Sequence, residues 1–369
     1  MTRRVGRVLA TLVVATLLAG VSVVAAPDPA GAHGVGGVKP TNFETVITDM
    51  QPTVRGVVVR AVDLGERLEV VNRSSRDVIV FGYDDEPYLR VGPRGAFENV
   101  RSPATYVNRT SRGTTKVPER ADPEARPEWR KISDEPLARW HDHRAHWTGR
   151  DDPHAVRADP DREHVVQRFR VDLEQGGTPI AVRGLVRWVP ASSAWLWIAT
   201  AFVLAAVVVA LSRTRLARVA VGVALLAVVA LEVLHVAGAW GGTTQGTGAR
   251  LGASVYAIGA AVVALVALVW LMKRGLHAAA PLVLITGLFV ALAGGLADIS
   301  VLTRSQLPTT LSYDVARIIV AATLGLGVGL AIAGALRLRS DPRPRRRAQP
   351  PGAGSWPETQ SWHSSSSVA

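Results

Sequence analysis

Three of the chain's nine histidines fall within Trp140-His141-Asp142-His143-Arg144-Ala145-His146-Trp147, bracketed by two tryptophans. Neutral imidazole is the commonest protein ligand for zinc and copper, so His141, His143 and His146 are the first candidates for chemistry. Spacing decides how many can act together. In a helix begun by Ser133, with Pro136 in its first turn, Leu137, Trp140, His143 and Trp147 recur at three- and four-residue intervals. His143 and His146 then share a face and His141 points elsewhere. In an extended strand His141 and His143 would pair instead, with His146 opposite. Neither conformation brings three imidazoles to one metal. A turn is required, or a further ligand from His33, Asp142, His154 or His164. The competing reading is architectural: a helix that packs Trp140, His143 and Trp147 on a core while Arg139, Asp142 and Arg144 meet solvent.

His33 carries a second candidate. An apolar run at 8–26 follows Arg3, Arg4 and Arg7 and leads to Ala30-Gly31-Ala32, the order of a secretory signal peptide. Cleavage after Ala32 (signal peptide 1–32) makes His33 the mature N-terminus, whose α-amine and imidazole together chelate Cu(II). The alternatives are cleavage after Ala26, retention as an anchor, or a plain glycine-rich arm, His33-Gly34-Val35-Gly36-Gly37.

The elements that position these residues begin with the membrane. Five apolar runs, near 193–212, 219–239, 251–272, 279–302 and 314–336, each have roughly the 20 residues that a helix needs to cross a bilayer. Loops rich in Lys and Arg stay cytoplasmic. Arg213, Arg215 and Arg218, then Lys273 and Arg274, then Arg337, Arg339 and Arg343 alternate with connections holding only Arg250 and Arg304. The expected layout is an exported domain at 33–190, a five-helix transmembrane domain at 191–338, and a basic, low-complexity cytoplasmic tail at 339–369 expected to be disordered. Trp195, Trp197 and Trp240 fall at the outer edges of the first two spans. The net charge of +12 is thus largely an orientation signal and a tail able to meet anionic lipid, with no nucleic-acid partner implied.

A third constellation lies inside the spans, where ionisable residues are costly and point to function. Glu232, His235, Asp298, Asp314 and Arg317 all fall near the outer ends, beneath the exported domain. Such a cluster can receive a cation or relay a proton. Equally, Arg317 can pair with Asp298 or Asp314 and lock the bundle.

The exported part reads as β-rich. Runs at 54–62, 67–71, 77–83, 87–91, 164–173 and 180–189 are β-branched or alternating, separated by turn residues such as Asp63-Leu64-Gly65 and Asp84-Asp85-Glu86. The spacing points to an Ig-like or cupredoxin-like sandwich. Residues 101–161, with the histidine cluster, read as a long insertion. With no cysteine and methionine only at positions 1, 50 and 272, disulfides, thiolate sites and methionine copper sites are excluded. Gly325-Leu326-Gly327-Val328-Gly329 lies inside a span and marks close helix packing rather than a nucleotide loop. No catalytic constellation is visible, and no enzyme activity is expected.

Pro87-Tyr88-Leu89-Arg90-Val91-Gly92-Pro93, Arg101-Ser102-Pro103-Ala104-Thr105-Tyr106 and the Trp140–Trp147 segment resemble a group of actinobacterial multi-pass membrane proteins with an exported N-terminal domain. The likeness covers most of 40–336 and implies a layout, not an activity. In layout alone the chain is also similar to the CopC and CopD copper-resistance families. It departs from them in having no CopC core motif after His33 and fewer spans than CopD. Two functions follow as expectations. One is copper or zinc handling at the plasma membrane through His33, His141, His143 and His146, assisted by Glu232, His235 and Asp298. The other is a non-catalytic envelope module docking a partner protein or cell-wall component.

Overall fold

The computed structural model describes residues 38–110 and 115–339. The expected signal peptide, His33 and the tail from position 340 lie outside the described residues.

The chain opens with two antiparallel sheets that enclose one core. Strands β1 (Phe43–Gln51), β2 (Val57–Val62), β3 (Arg67–Asn72), β4 (Val78–Phe81), β5 (Pro87–Gly92) and β6 (Gly95–Asn99) come first. They are followed by the short helix α1 (Ala104–Val107), β7 (Trp129–Ser133), β8 (Leu137–Trp140), the short helix α2 (His154–Ala158), β9 (His164–Gln175) and β10 (Thr178–Trp188). The larger sheet has the order β1-β10-β9-β4-β5-β6-β7, and the smaller β2-β3-β8. Period-two alternation explains the packing. Leu68 and Val70 of β3 and Ala138 and Trp140 of β8 face Val80, Leu89, Val171, Leu173, Ile180 and Val182 of the larger sheet, all nearly or fully buried.

The expected helix after Ser133 does not form. Ser133 ends β7, Pro136 sits in the turn where its carbonyl accepts Asn72 N–H, and Leu137–Trp140 pairs with β3. Pairing supplies the reason: Glu69 of β3 is fully buried and bonded by Arg139 from β8 (2.6 Å) and by Arg60 from β2. Strand register satisfies that carboxylate, and burial without partners would be costly. Residues 101–161 are therefore no insertion. They supply an edge strand to one sheet and complete the other.

Beyond the sheets run the apolar helices α3 (Trp195–Leu211), α4 (Ala217–Gly241), α5 (Thr247–Phe289) and α6 (Tyr313–Arg339). Helix α5 passes directly into a π-helical turn at Val290–Leu296. Three stretches, Ala217–Gly241, Thr247–Leu296 and Tyr313–Arg339, are long and apolar enough to cross a membrane. The second has 50 residues, more than twice the span of a bilayer core if it were straight. It is not straight. Gly275 adopts φ 78°, ψ 171°, outside helical space, and the Trp270 indole donates to the carbonyl of Ala278, eight residues on, which the two arms reach by doubling back. The first arm packs along α4, with Arg218 bonded to the Met272 carbonyl at one end and Trp240 to Ser254 Oγ at the other. The second packs along α6 at Gly287, Gly327 and Gly334, where an added Cβ would meet backbone atoms at 2.2 to 2.6 Å.

The two parts meet through directional bonds. Thr41 and Gln306 exchange both backbone hydrogen bonds, Ser305 N donates to Asn42 Oδ1, and Ser305 Oγ donates to the Val189 carbonyl. Asp63 is the deepest tie. Its buried carboxylate accepts from Thr243 Oγ1 (3.1 Å), Thr244 N (2.8 Å) and Thr244 Oγ1 (2.7 Å) while paired with Arg67. Asp63 and Leu64 hold positive φ (53° and 56°), a conformation that persists because these partners over-determine it.

Because Gly287 faces the Ala331 backbone, Gly287→Val is expected to separate α5 from α6. Its cost is that of overpacking, about 1 to 3 kcal/mol, read as a lower midpoint of thermal unfolding of the detergent-solubilised chain. Gly246→Val, where an added Cβ meets nothing, serves as the control.

Candidate functional site

The histidine segment is a turn that leaves β8 and crosses from one sheet to the other. Asp142, fully buried, is its centre. It accepts from the Trp140 indole (2.9 Å), from Arg144 N, and from Arg144 Nε and Nη2 at 2.9 Å each. The same guanidinium donates to the Gly82 and Phe81 carbonyls beyond β4 and lies 4.8 Å over the Tyr83 ring. Tyr83 donates to Asn108 Oδ1 and accepts His143 N–H at 3.1 Å. Burial, reinforced by the Asp142 charge, raises the Tyr83 pKa well above the usual phenol range, so the hydroxyl stays protonated and can make both bonds. Thr45 Oγ1 and Gln167 Nε2 fasten the Ala145 and Arg144 carbonyls to β1 and β9.

The imidazoles divide accordingly. His141 Nδ1 is 2.8 Å from the Glu66 carbonyl. His143 sits against Tyr83 and the Thr110 carbonyl. His143 and His146 are neighbours with ring centroids 5.5 Å apart, and His146 lines a cavity of about 300 Å³ with Lys39, Glu66 and Trp147. Trp147 stacks on Phe43 and donates to the Asp151 carbonyl. Of the further ligands considered, Asp142 is committed to Arg144, His164 Nε2 contacts the Asp159 carbonyl, and His154 opens α2. Among the described residues no group of three or more His, Asp or Glu side chains is disposed to hold a metal ion.

A second site lies where the sheets meet the helices. A cavity of about 310 Å³ is enclosed by residues 38–40, the outer end of α4 and the segment after the π-turn, with His235, Asp298 and Arg304 on its wall. His235 Nε2 is 3.5 Å from Asp298 Oδ2. Arg317 pairs with Asp314, three residues earlier in the same helix, at 3.2 Å and donates to the Arg304 carbonyl. Glu232, one turn below His235 and 3% exposed, has an oxygen with no hydrogen-bond partner. The sequence placed these groups on one level; the structure joins His235 to Asp298 and Arg317 to Asp314, and leaves Glu232 apart. Sequence reasoning missed Asp63 and Tyr83, since one reads as an ordinary turn acid and the other as a strand aromatic. Positive φ at Asp63 has no signature in residue type.

Comparison with protein-family models, with curated proteins and with solved structures found no match.

Two outcomes are expected. Asp142→Asn leaves Arg144 buried without its counter-charge and should cost about 3 kcal/mol in urea unfolding monitored by Trp fluorescence, where His143→Ala should cost under about 1 kcal/mol. The second outcome concerns pH. Burial, the largest cause, lowers the His141 pKa below its ordinary value, so the fold holds it neutral. The unfolded chain binds a proton below about pH 6.5, so stability present above that pH is lost as pH falls toward the lowered value. His141→Gln should flatten the dependence of the unfolding midpoint on pH between about 7.5 and 5.

Proposed function

We propose that the chain is a multi-pass plasma-membrane protein with an extracytoplasmic β-sandwich domain, Ig-like or cupredoxin-like in outline, on five spans and a cytoplasmic C-terminus. Its function in this reading is that of a non-catalytic envelope module docking a partner protein or cell-wall component. The reversal at Gly275 supports five spans, because it divides the longest apolar stretch into two arms of membrane length. The basic residues at 213–218 and 273–274 support the orientation.

One observation carries the docking reading: the polar groups of Trp140, His141, Asp142 and Arg144 are spent on one another and on the sheets, with Asp142 bonded to Trp140 and Arg144 and His141 to Glu66. Residues so engaged build a scaffold. The surface available for a partner is the outer face of the larger sheet, where the Arg90 guanidinium lies 4.4 Å over Phe97 and 4.9 Å over Trp129 beside the edge strand β7. Stacked aromatic and guanidinium groups favour binding with little ordering cost.

The chain lacks cysteine, which permits a direct test of the topology. Ser75→Cys should react with a membrane-impermeant maleimide on intact cells, and Arg215→Cys only after permeabilisation; the reverse overturns the orientation. For docking, full-length protein in nanodiscs should co-sediment with cell-wall sacculi or capture a cross-linked envelope protein. Either interaction should weaken about tenfold in Trp129→Ala and Arg90→Ala, and one indifferent to both changes overturns this surface.

A second reading, copper or zinc handling, draws on the adjacency of His143 and His146, which needs a further donor such as His33. Titration of the full chain with Cu(II) and Zn(II) tests it: binding lost on changing both histidines to Ala supports it, and no binding or unchanged binding sinks it.

A further inference from the structure

Two buried polar groups without a hydrogen-bond partner lie together inside the bundle. Glu232 of α4 is 3% exposed and its Oε1 is wholly buried without a hydrogen-bond partner. Thr323 of α6 is 2% exposed and its Oγ1 is in the same condition. Both meet over Gly294: a Cβ built there would lie 2.9 Å from Glu232 Oε1 and 2.9 Å from Thr323 Cγ2. Gly294 belongs to the π-turn Val290–Leu296, where the regular i→i+4 ladder gives way to bonds such as Ala297 N to the Leu292 carbonyl. π-Turns loosen backbone carbonyls from the helical pattern and recur at functional sites.

An ionised carboxylate at this depth is expensive unless a proton or another cation joins it. The polar atoms of these two side chains are a carboxylate and a hydroxyl oxygen, which selects a hard cation over copper or zinc. Glu232 is the buried carboxylate, Asp298 standing 3.5 Å from His235, and a single buried charge matches a monovalent ion. A route in exists as well. His235 stands three residues above Glu232, Asp298 four residues beyond Gly294, and both line the cavity beneath the β domain. At 1.5 Å per residue His235 stands roughly 4.5 Å along α4 from Glu232.

We propose that Glu232 and Thr323, with the π-turn at Gly294, form a binding site for a small monovalent cation of the sodium class, entered from the seam cavity past His235 and Asp298. The proposal rests on the helical part spanning a membrane and is independent of what the β domain docks. The absence of a side chain at position 294 is then functional: a Cβ there would press on Glu232 Oε1 at 2.9 Å.

The probe is sodium itself. Full-length protein in detergent is heated in NaCl, LiCl, KCl and choline chloride at constant ionic strength and pH 8. Sodium should raise the unfolding midpoint in a saturable manner, choline should not, and potassium should act more weakly than sodium. Glu232→Gln, nearly isosteric, should abolish the response; Thr323→Val should weaken sodium affinity at least about tenfold; Gly294→Ala should remove the response by displacing Glu232 Oε1, which its Cβ would meet at 2.9 Å. Direct titration by ²³Na NMR line broadening gives a second readout for any variant with altered stability. Sodium binding should weaken as pH falls, since protons compete for the same carboxylate. Equal midpoints in sodium and choline, stabilisation by acid alone, or a sodium response that survives Glu232→Gln each overturns the proposal. A maleimide result that contradicts the topology would leave the sodium response intact, so the two failures are distinguishable.

Discussion

Burying a carboxylate commits everything around it. Asp142 has no exposed surface, and its oxygens take an indole N–H, a backbone N–H and two guanidinium N–H groups. Those partners in turn fix the turn after β8, hold Arg144 across the carbonyls of Phe81 and Gly82, and place Tyr83 against His143. Glu69 does the same for the smaller sheet through Arg60 and Arg139, and Asp63 for the junction with the helices through Thr243 and Thr244. Glu86 is a fourth case, fully enclosed and bonded by Ser102 Oγ and the Ala104 and Asp84 amides. In each, the cost of desolvating the charge is met only by one geometry, which makes these acids specifiers of the fold.

The helical part works by a different rule. In apolar surroundings there is little hydrophobic gain from helix association, and close backbone approach supplies the packing energy. Gly287, Gly295, Gly325, Gly327 and Gly334 bring α6 to within contact of the second arm of α5 and of α3. Against this dense packing Glu232 and Thr323 are exceptions, polar groups that the bundle encloses without answering. Their position below the cavity, and the cavity's position below the sheets, put the unsatisfied chemistry of the molecule at the level where its two parts join.

The histidines illustrate how residue type and tertiary role separate. Their clustering in sequence is real, and His143 and His146 do end as neighbours. Yet the residues that organise the segment are the acid, the arginine and the tryptophan between and beside them. The three-and-four spacing of Leu137, Trp140, His143 and Trp147 imitates a helix, but the alternation of buried Ala138 and Trp140 with outward Arg139 was present in the same residues. Pairing with β3 selected the second pattern, because only there does Glu69 find Arg139. Local periodicity cannot weigh a partner 70 residues away.

By itself the sequence determined the order of parts: β-branched runs at 54–62, 67–71, 77–83, 87–91, 164–173 and 180–189 became strands, with β1 and β6 having no counterpart among them, and apolar runs after 193 became helices. These features follow from short-range periodicity and from the length of apolar stretches, which are read without knowing the fold. Tertiary structure alone decided that β7 and β8 are strands, that Asp63 turns through positive φ to grip the helical part, that His235 meets Asp298, and that Glu232 and Thr323 converge on Gly294. Each of these depends on groups far apart in the chain becoming neighbours, and on the cost of burying polar atoms there. That cost has no value until the neighbours are in place.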